Sequence, residues 1–180
     1  MDSILNKYNK STIVKASKIK LLIFDVDGVL TDGKIIYTEY GDEIKAFNVK
    51  DGQIIRFLKV SGIKVGVITG RTSKLVKKRC TELNLDFFYQ GIKDKWSVIE
   101  KELEHISSEE VSYIGDDIID LKAIVKCGLG VAPFDGVEYV KAQADLVTAA
   151  KGGEGVVREV ADLILASQNR MNDIIKQKLL

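Results

Sequence analysis

Two aspartates, Asp25 and Asp27, stand two residues apart, directly after an apolar run and just before Gly28. Further along come Thr69-Gly70-Arg71, then Lys95, then Gly115-Asp116-Asp117 with Asp120 one turn later. The set contains a nucleophile, an acid–base carboxylate, a hydroxyl, an ammonium and further carboxylates. Those are the parts that hydrolysis of a phosphate monoester needs. That reaction can require acceleration on the order of 10²¹-fold, more than any single contact supplies. Asp25 can attack phosphorus and form an aspartyl-phosphate. Asp27 is placed to protonate the leaving oxygen and then take a proton from water, with a neighbouring carboxylate pushing its pKa up. Asp25 and Asp116 would repel each other and the phosphate. A Mg²⁺ held by Asp25, Asp116 and the Asp27 carbonyl, with waters completing an octahedron, resolves this. The Thr69 hydroxyl and the Lys95 ammonium then hold and neutralise the transferring oxygens.

Taken singly, each feature has a plainer reading. Asp-Gly is a common turn signal. Thr69-Gly70 fits a helix start, Lys95 has a competitor in Lys93, and Arg71 can pair with any carboxylate. Lys77-Lys78-Arg79 reads as a solvated helix face. Position along the chain changes the weighing. The runs Ile19–Phe24, Lys64–Ile68, Asp86–Tyr89 and Val111–Ile114 are rich in apolar residues and too short for helices, and Gly128–Val131 is a shorter fifth. They read as buried parallel strands. Between them lie helical patterns that Asp51, Thr72 or Ser73, Asp94 and Asp117 are placed to cap, followed by a last helix from Gly155 to Ser167. The expected fold is α/β, a Rossmann-like doubly wound parallel sheet. In such sheets ligands bind beyond the carboxyl ends of the strands, and that edge is where the chemistry-bearing residues fall. One stretch breaks the alternation. Lys34–Thr38 and Ile44–Val49 read as a β-hairpin inserted after the first strand.

The chain has 180 residues, enough for one core, and its 27 basic and 26 acidic residues leave a net charge of +1. Near-neutrality argues against nucleic acid as a partner. Cys80 and Cys127 make no disulfide framework and the single histidine, His105, makes no zinc cluster, which fits a cytoplasmic setting. No apolar run is long enough to span a membrane. Residues 1–18 read as an N-terminal extension, 19–167 as the domain, and 168–180 as a C-terminal tail.

Asp25-Val-Asp-Gly-Val, Thr69-Gly70, Lys95 and Gly115-Asp-Asp-Ile-Ile-Asp120, in that order, resemble the four motifs of the haloacid dehalogenase superfamily of phosphatases. Five longer stretches carry the resemblance further: 25–33, Ile68-Thr-Gly-Arg71, Tyr89-Gln-Gly91, Tyr113-Ile-Gly-Asp-Asp117 and Gly152-Gly-Glu-Gly-Val-Val-Arg-Glu159. Over roughly 19–166 they are similar to the 3-deoxy-D-manno-octulosonate 8-phosphate phosphatase family. The resemblance implies a Mg²⁺-dependent phosphatase of a sugar-acid phosphate in lipopolysaccharide precursor synthesis, and a homotetramer. It favours Lys95 over Lys93 through Gln90-Gly91-x-x-x-Lys95, and suggests Thr69, Gly70, Arg71, Lys95 and Arg158 as substrate-binding residues, with Asp117 and Asp120 behind the metal ligands. It also implies a site without a cap domain, since the gaps between motifs hold only the hairpin and single helices. Hairpin 34–49 and the tail after Gln168 are then the candidate assembly surfaces. Ala132-Pro133-Phe134-Asp135 departs from the family's Ala-Asp-Ala-type run. Two rivals stand beside this reading: a phosphatase of a nine-carbon sugar-acid 9-phosphate, and a receiver-like phosphoacceptor domain, whose acidic pair, phosphorylated Asp and Lys come in a different order.

Overall fold

Short apolar runs that cannot complete a helix become strands buried on both faces, which is what a parallel sheet requires. The computed structural model describes residues 2–103 and 105–179. In chain order the elements are α1 (Asp2–Leu5), α2 (Lys10–Ser17), β1 (Leu21–Phe24), β2 (Ile36–Tyr37), β3 (Glu43–Ile44) and α3 (Val49–Val60). Then follow β4 (Lys64–Ile68), α4 (Lys74–Glu82), β5 (Phe87–Tyr89), α5 (Lys95–Glu102) and β6 (Val111–Ile114). The chain ends with α6 (Leu121–Lys126), β7 (Leu129–Ala132), α7 (Glu138–Lys141), β8 (Leu146–Val147), α8 (Val156–Ser167) and α9 (Met171–Leu179).

The main sheet is parallel throughout, in the order β5-β4-β1-β6-β7-β8. Counting its strands along the chain, that is 3-2-1-4-5-6, the doubly wound order with its switch point beside the first strand. A receiver domain follows the flavodoxin-like order 2-1-3-4-5 instead, so the topology excludes that rival. Side chains alternate along β1: Leu22 and Phe24 join the core under α2, α3, α4 and α8, while Leu21 and Ile23 join the core under α5 and α6.

The strands read from the sequence match closely, β4 and β6 to the residue. Three readings need correction. The hairpin strands are only two residues each, Ile36 opposite Ile44 and Tyr37 opposite Glu43, because no third strand extends their ladder. The second hairpin strand does not run to Val49, since Asn48 caps α3 there by accepting the Lys50 amide. Of the two caps expected for α4, Thr72 or Ser73, the structure uses Ser73. A sixth strand, β8, was not expected; it pairs with β7 through Leu146 and Val147. At the chain's ends, Ile4, Leu5, Ile13 and Ala16 of the expected extension, and Met171 and Ile174 of the expected tail, belong to the same hydrophobic core as α8. Met1 and Leu180, the outer limits of those two segments, lie outside the described residues.

Asp51, expected as the cap of its own helix, serves another. Gly155 precedes α8 and offers no side chain to its first amides. Asp51 supplies the acceptor from across the domain, taking the Arg158 amide at 2.7 Å on Oδ1. Its Oδ2 is buried without a hydrogen-bond partner among the described residues. Burial pushes this carboxyl up to about 6, although the amides of Arg158 and Val157 pull it down. The folded chain therefore takes up a proton here before the unfolded chain does, and this group's contribution turns increasingly against folding as pH rises from about 4 to about 6. Asn at this position keeps the acceptor and removes the charge. Thermal melts are expected to show Asp51→Asn gaining on the wild type as pH rises from 4 to 7, and Asp51→Ala about 1 kcal/mol less stable through loss of the cap. Equal damage from both substitutions at pH 7 would contradict this account.

Candidate active site

The parallel ladders continue one residue past three neighbouring strands, and this aligns the site. The Asp25 amide donates to Ile114 O, the Thr69 amide to Tyr89 O, and the Gly115 amide to Val131 O. Asp25, Thr69 and Gly115 are thereby pinned in register at the carboxyl edge of the sheet, at its switch point. Beyond β1 the chain folds back tightly: the Val26 carbonyl accepts the amides of Val29, Leu30 and Thr31. Gly28 sits in that turn at φ +84°, and a Cβ there would come within 2.1 Å of Asp116 Oδ2. Glycine at this position lets the Asp116 carboxylate stand against the turn. The glycine cluster 152–155 packs on the same turn. The Gly153 amide donates to Val29 O, and a Cβ on Gly152 would lie 2.2 Å from Gly28 O.

At the centre of the site is a buried ammonium. Lys95 opens α5, which Asp94 caps, and its Nζ lies 2.5 Å from Asp25 Oδ2 and 2.6 Å from Asp120 Oδ1. Burial alone would depress its pKa, but Asp25 and Asp120 outweigh that and hold it above the ordinary lysine value. Asp120 is fully buried and saturated with donors. Lys95 and the Tyr113 hydroxyl reach Oδ1, and the amides of Asp116 and Asp117 reach Oδ2 at 3.1 and 3.3 Å. Burial raises the pKa of Asp25, with Lys95 opposing, and lifts Asp116 to about 7, where Asp120 and Asp25 add repulsion.

Carboxylate oxygens of Asp25, Asp116 and Asp120 all lie within 4.8 Å of one another. Crowded hard oxygen donors of this kind suit a divalent cation, whose charge relieves the repulsion that lifts Asp116. The donor set fits a metal. With both of its oxygens already occupied by donors, Asp120 orients the others, and Asp25 and Asp116 are left to face the ion.

Above this floor opens a cleft of about 270 Å³ lined by Asp25, Asp27, Gly33, Thr69, Gly70, Arg71, Asp116, Asp117 and Ile119. A family model for haloacid dehalogenase-like hydrolases matches residues 93–160. The 3-deoxy-D-manno-octulosonate 8-phosphate phosphatase of Escherichia coli K12 is 46% identical over 169 residues, 93% of this chain and 90% of that protein. The chain belongs to this phosphatase family. Solved members share its fold. The Yersinia pestis phosphatase superposes with a TM-score of 0.88 at 44% identity, covering 91% of this chain and 89% of that one. The Moraxella catarrhalis phosphatase, solved with a magnesium ion, a phosphate ion and a KDO molecule, gives 0.91 at 41%, covering 94% and 99%.

The structure brings together Asp25, Asp27, Thr69, Gly70, Arg71, Lys95, Asp116, Asp117 and Asp120. Lys95 sits beneath the cleft, against Asp25, rather than on its lining. Asp117 caps the turn Ile118–Asp120 by accepting the Ile118 amide at 2.6 Å. Arg158 is not brought to the cleft. Its amide is tied to Asp51, its Nε pairs with Asp162 at 2.8 Å one turn along α8, and it lines a separate cavity with Lys7, Tyr8 and Glu159.

Asp27 has different company from that expected. Lys45 and Arg71 pair with it, the Thr31 hydroxyl donates to it at 3.3 Å, and Glu43 shares both of those cations. Lys45 and Glu43 come from the hairpin and were not singled out from the sequence. Glu43 accepts from Arg71 at 2.9 Å and from the Ser73 hydroxyl at 2.9 Å. The available signal was the period of two: in Glu43-Ile44-Lys45 the charged residues face the cleft and Ile44 faces out. Tyr113 was missed too, as an apolar-looking strand residue whose hydroxyl reads only in three dimensions.

Proposed function

We propose that this phosphatase hydrolyses 3-deoxy-D-manno-octulosonate 8-phosphate to the free sugar acid and phosphate, in lipopolysaccharide precursor synthesis. The observation that carries the reading is the Lys95-bridged pair Asp25 and Asp120 beneath a cleft that also presents Asp27, Asp116 and Arg71. The relatives' activity and the KDO molecule in the Moraxella structure support the choice of substrate.

Asp25 Oδ1 attacks phosphorus while the bond from phosphorus to the sugar oxygen breaks, and Asp27 donates the proton that oxygen needs. Asp27 then takes a proton from water, whose oxygen attacks the phosphoryl group. Phosphate leaves and Asp25 is regenerated. Asp25, Asp116 and the Asp27 carbonyl would hold Mg²⁺, which would supply positive charge against the phosphoryl oxygens. Thr69 holds one of those oxygens by hydrogen bonding. Lys95 keeps Asp25 in line for attack and offsets its charge as the phosphate approaches. Arg71 receives the sugar's carboxylate, for which a planar guanidinium is suited.

Arg71→Ala should raise KM for the eight-carbon substrate by about tenfold or more, the scale of one lost charge-assisted contact, and change an aryl phosphate by less than about twofold. Chelation should stop turnover of both, and Mg²⁺ should restore it. Equal losses on both substrates, or a higher kcat/KM for a nine-carbon 9-phosphate, would contradict the assignment.

The same reading includes a homotetramer. Among the hairpin and its flanks, Ile35, Ile36, Tyr37, Tyr40, Ile44 and Val49 are exposed, Tyr40 to 85%. An apolar ribbon of two short strands is marginal alone and marks an interaction surface. Another copy of the chain is the proposed cover. Sedimentation should give four copies. A fully active monomer would overturn this.

A further inference from the structure

We propose that Glu43 is an internal occupant of the substrate's carboxylate site, holding Arg71 until the sugar acid exchanges for it. The proposal rests on the reading of Arg71 given above and deepens it. Arg71 Nη2 lies 2.9 Å from Glu43 Oε1, and Arg71 Nη1 lies 3.4 Å from Asp27 Oδ2. Glu43 Oε2 accepts from Ser73 Oγ at 2.9 Å, and Lys45 stands 3.5 Å from its other oxygen. Both oxygens are thus engaged, as those of a bound carboxylate ligand would be. Burial works against the charge on Glu43, but Ser73, Lys45 and Arg71 outweigh it and hold its pKa below the ordinary glutamate value.

Charge conservation favours exchange over addition. Asp27, Glu43, Lys45 and Arg71 form a neutral quartet. A sugar carboxylate added to it would leave an excess negative charge beside an incoming phosphate, whereas a carboxylate that replaces Glu43 keeps the balance. The motion required is confined to the ribbon's charged edge. Glu43 lies at the rim of the cleft, and its side chain can turn from Arg71 while the apolar face of the ribbon stays on the neighbouring copy. Once Arg71 turns to the sugar, its long contact with Asp27 is the one most easily given up, so recognition of the carboxylate and release of the proton donor are linked.

Glu43→Gln keeps the shape and removes the charge. Its KM for the eight-carbon 8-phosphate should fall by about threefold to tenfold, its kcat/KM for an aryl phosphate should move by less than about twofold, and both effects should vanish in an Arg71→Ala background. A raised KM, an equal change on both substrates, or an effect that persists without Arg71 would overturn the exchange. Wild-type enzyme supplies an independent check. Hydrogen exchange in residues 36–44 should rise on adding the free sugar acid and not on adding inorganic phosphate; a rise with both, or with neither, would contradict the proposal. If Arg71→Ala fails to distinguish the two substrates, the reading of Arg71 itself is wrong. If it does distinguish them while Glu43→Gln raises KM, only the exchange is.

Discussion

The buried ammonium of Lys95 joins the two halves of the site: Asp25 at the end of β1 and Asp120 at the start of α6. Removing one partner from a buried, hydrogen-bonded charge cluster typically costs about 3–5 kcal/mol, because the remaining charges keep their desolvation penalty and lose their compensation. Two carboxylates are therefore held side by side by one shared cation. The donors around Asp120 carry the order onward to the backbone of Asp116 and Asp117. The position of Asp116 thus follows from Lys95 through two short steps.

The fold serves this arrangement by keeping strand ends in register. Ladder bonds that outlast β1, β4 and β6 leave Asp25, Thr69 and Gly115 on one line. The turn after β1 is braced from behind by the glycine cluster, which approaches its backbone too closely for any side chain to intervene. That cluster leads into α8, whose first amides are satisfied by Asp51 from α3. Packing remote from the phosphate thus sets the shape of the loop that carries Asp25 and Asp27. The charged edge of the hairpin, Glu43 and Lys45, reaches Asp27 and Arg71 at the cleft's outer side.

What was legible in the sequence followed from local rules. Apolar runs bounded by polar residues located β4 and β6 to the residue, and Asp25, Asp27, Thr69 and Asp116 stood out because each follows a strand, while the family resemblance chose Lys95 over Lys93. What escaped depends on contacts between distant segments. Asp51 looked like a cap for its own helix, and nothing nearby could say that it closes α8. Arg158 looked like a ligand because of the motif around it, while Asp162, one turn later, claims its side chain. The hairpin was read too long, since alternation continues through Lys45 where no partner strand exists to use it. The period of two puts its two charged residues on one face, but their partners, Asp27 and Arg71, are set only by the fold.

The central claim is that Asp25, poised by Lys95, forms the covalent bond to phosphorus. Its most direct test is rapid acid quench of enzyme turning over a phosphate-labelled substrate in Mg²⁺, followed by mapping of the label. The account predicts a transient label confined to the peptide carrying Asp25, absent from Asp25→Asn and reduced in amount when Lys95 is replaced by Met. Full turnover with no labelled enzyme at any quench time, or a label on another residue, would contradict it.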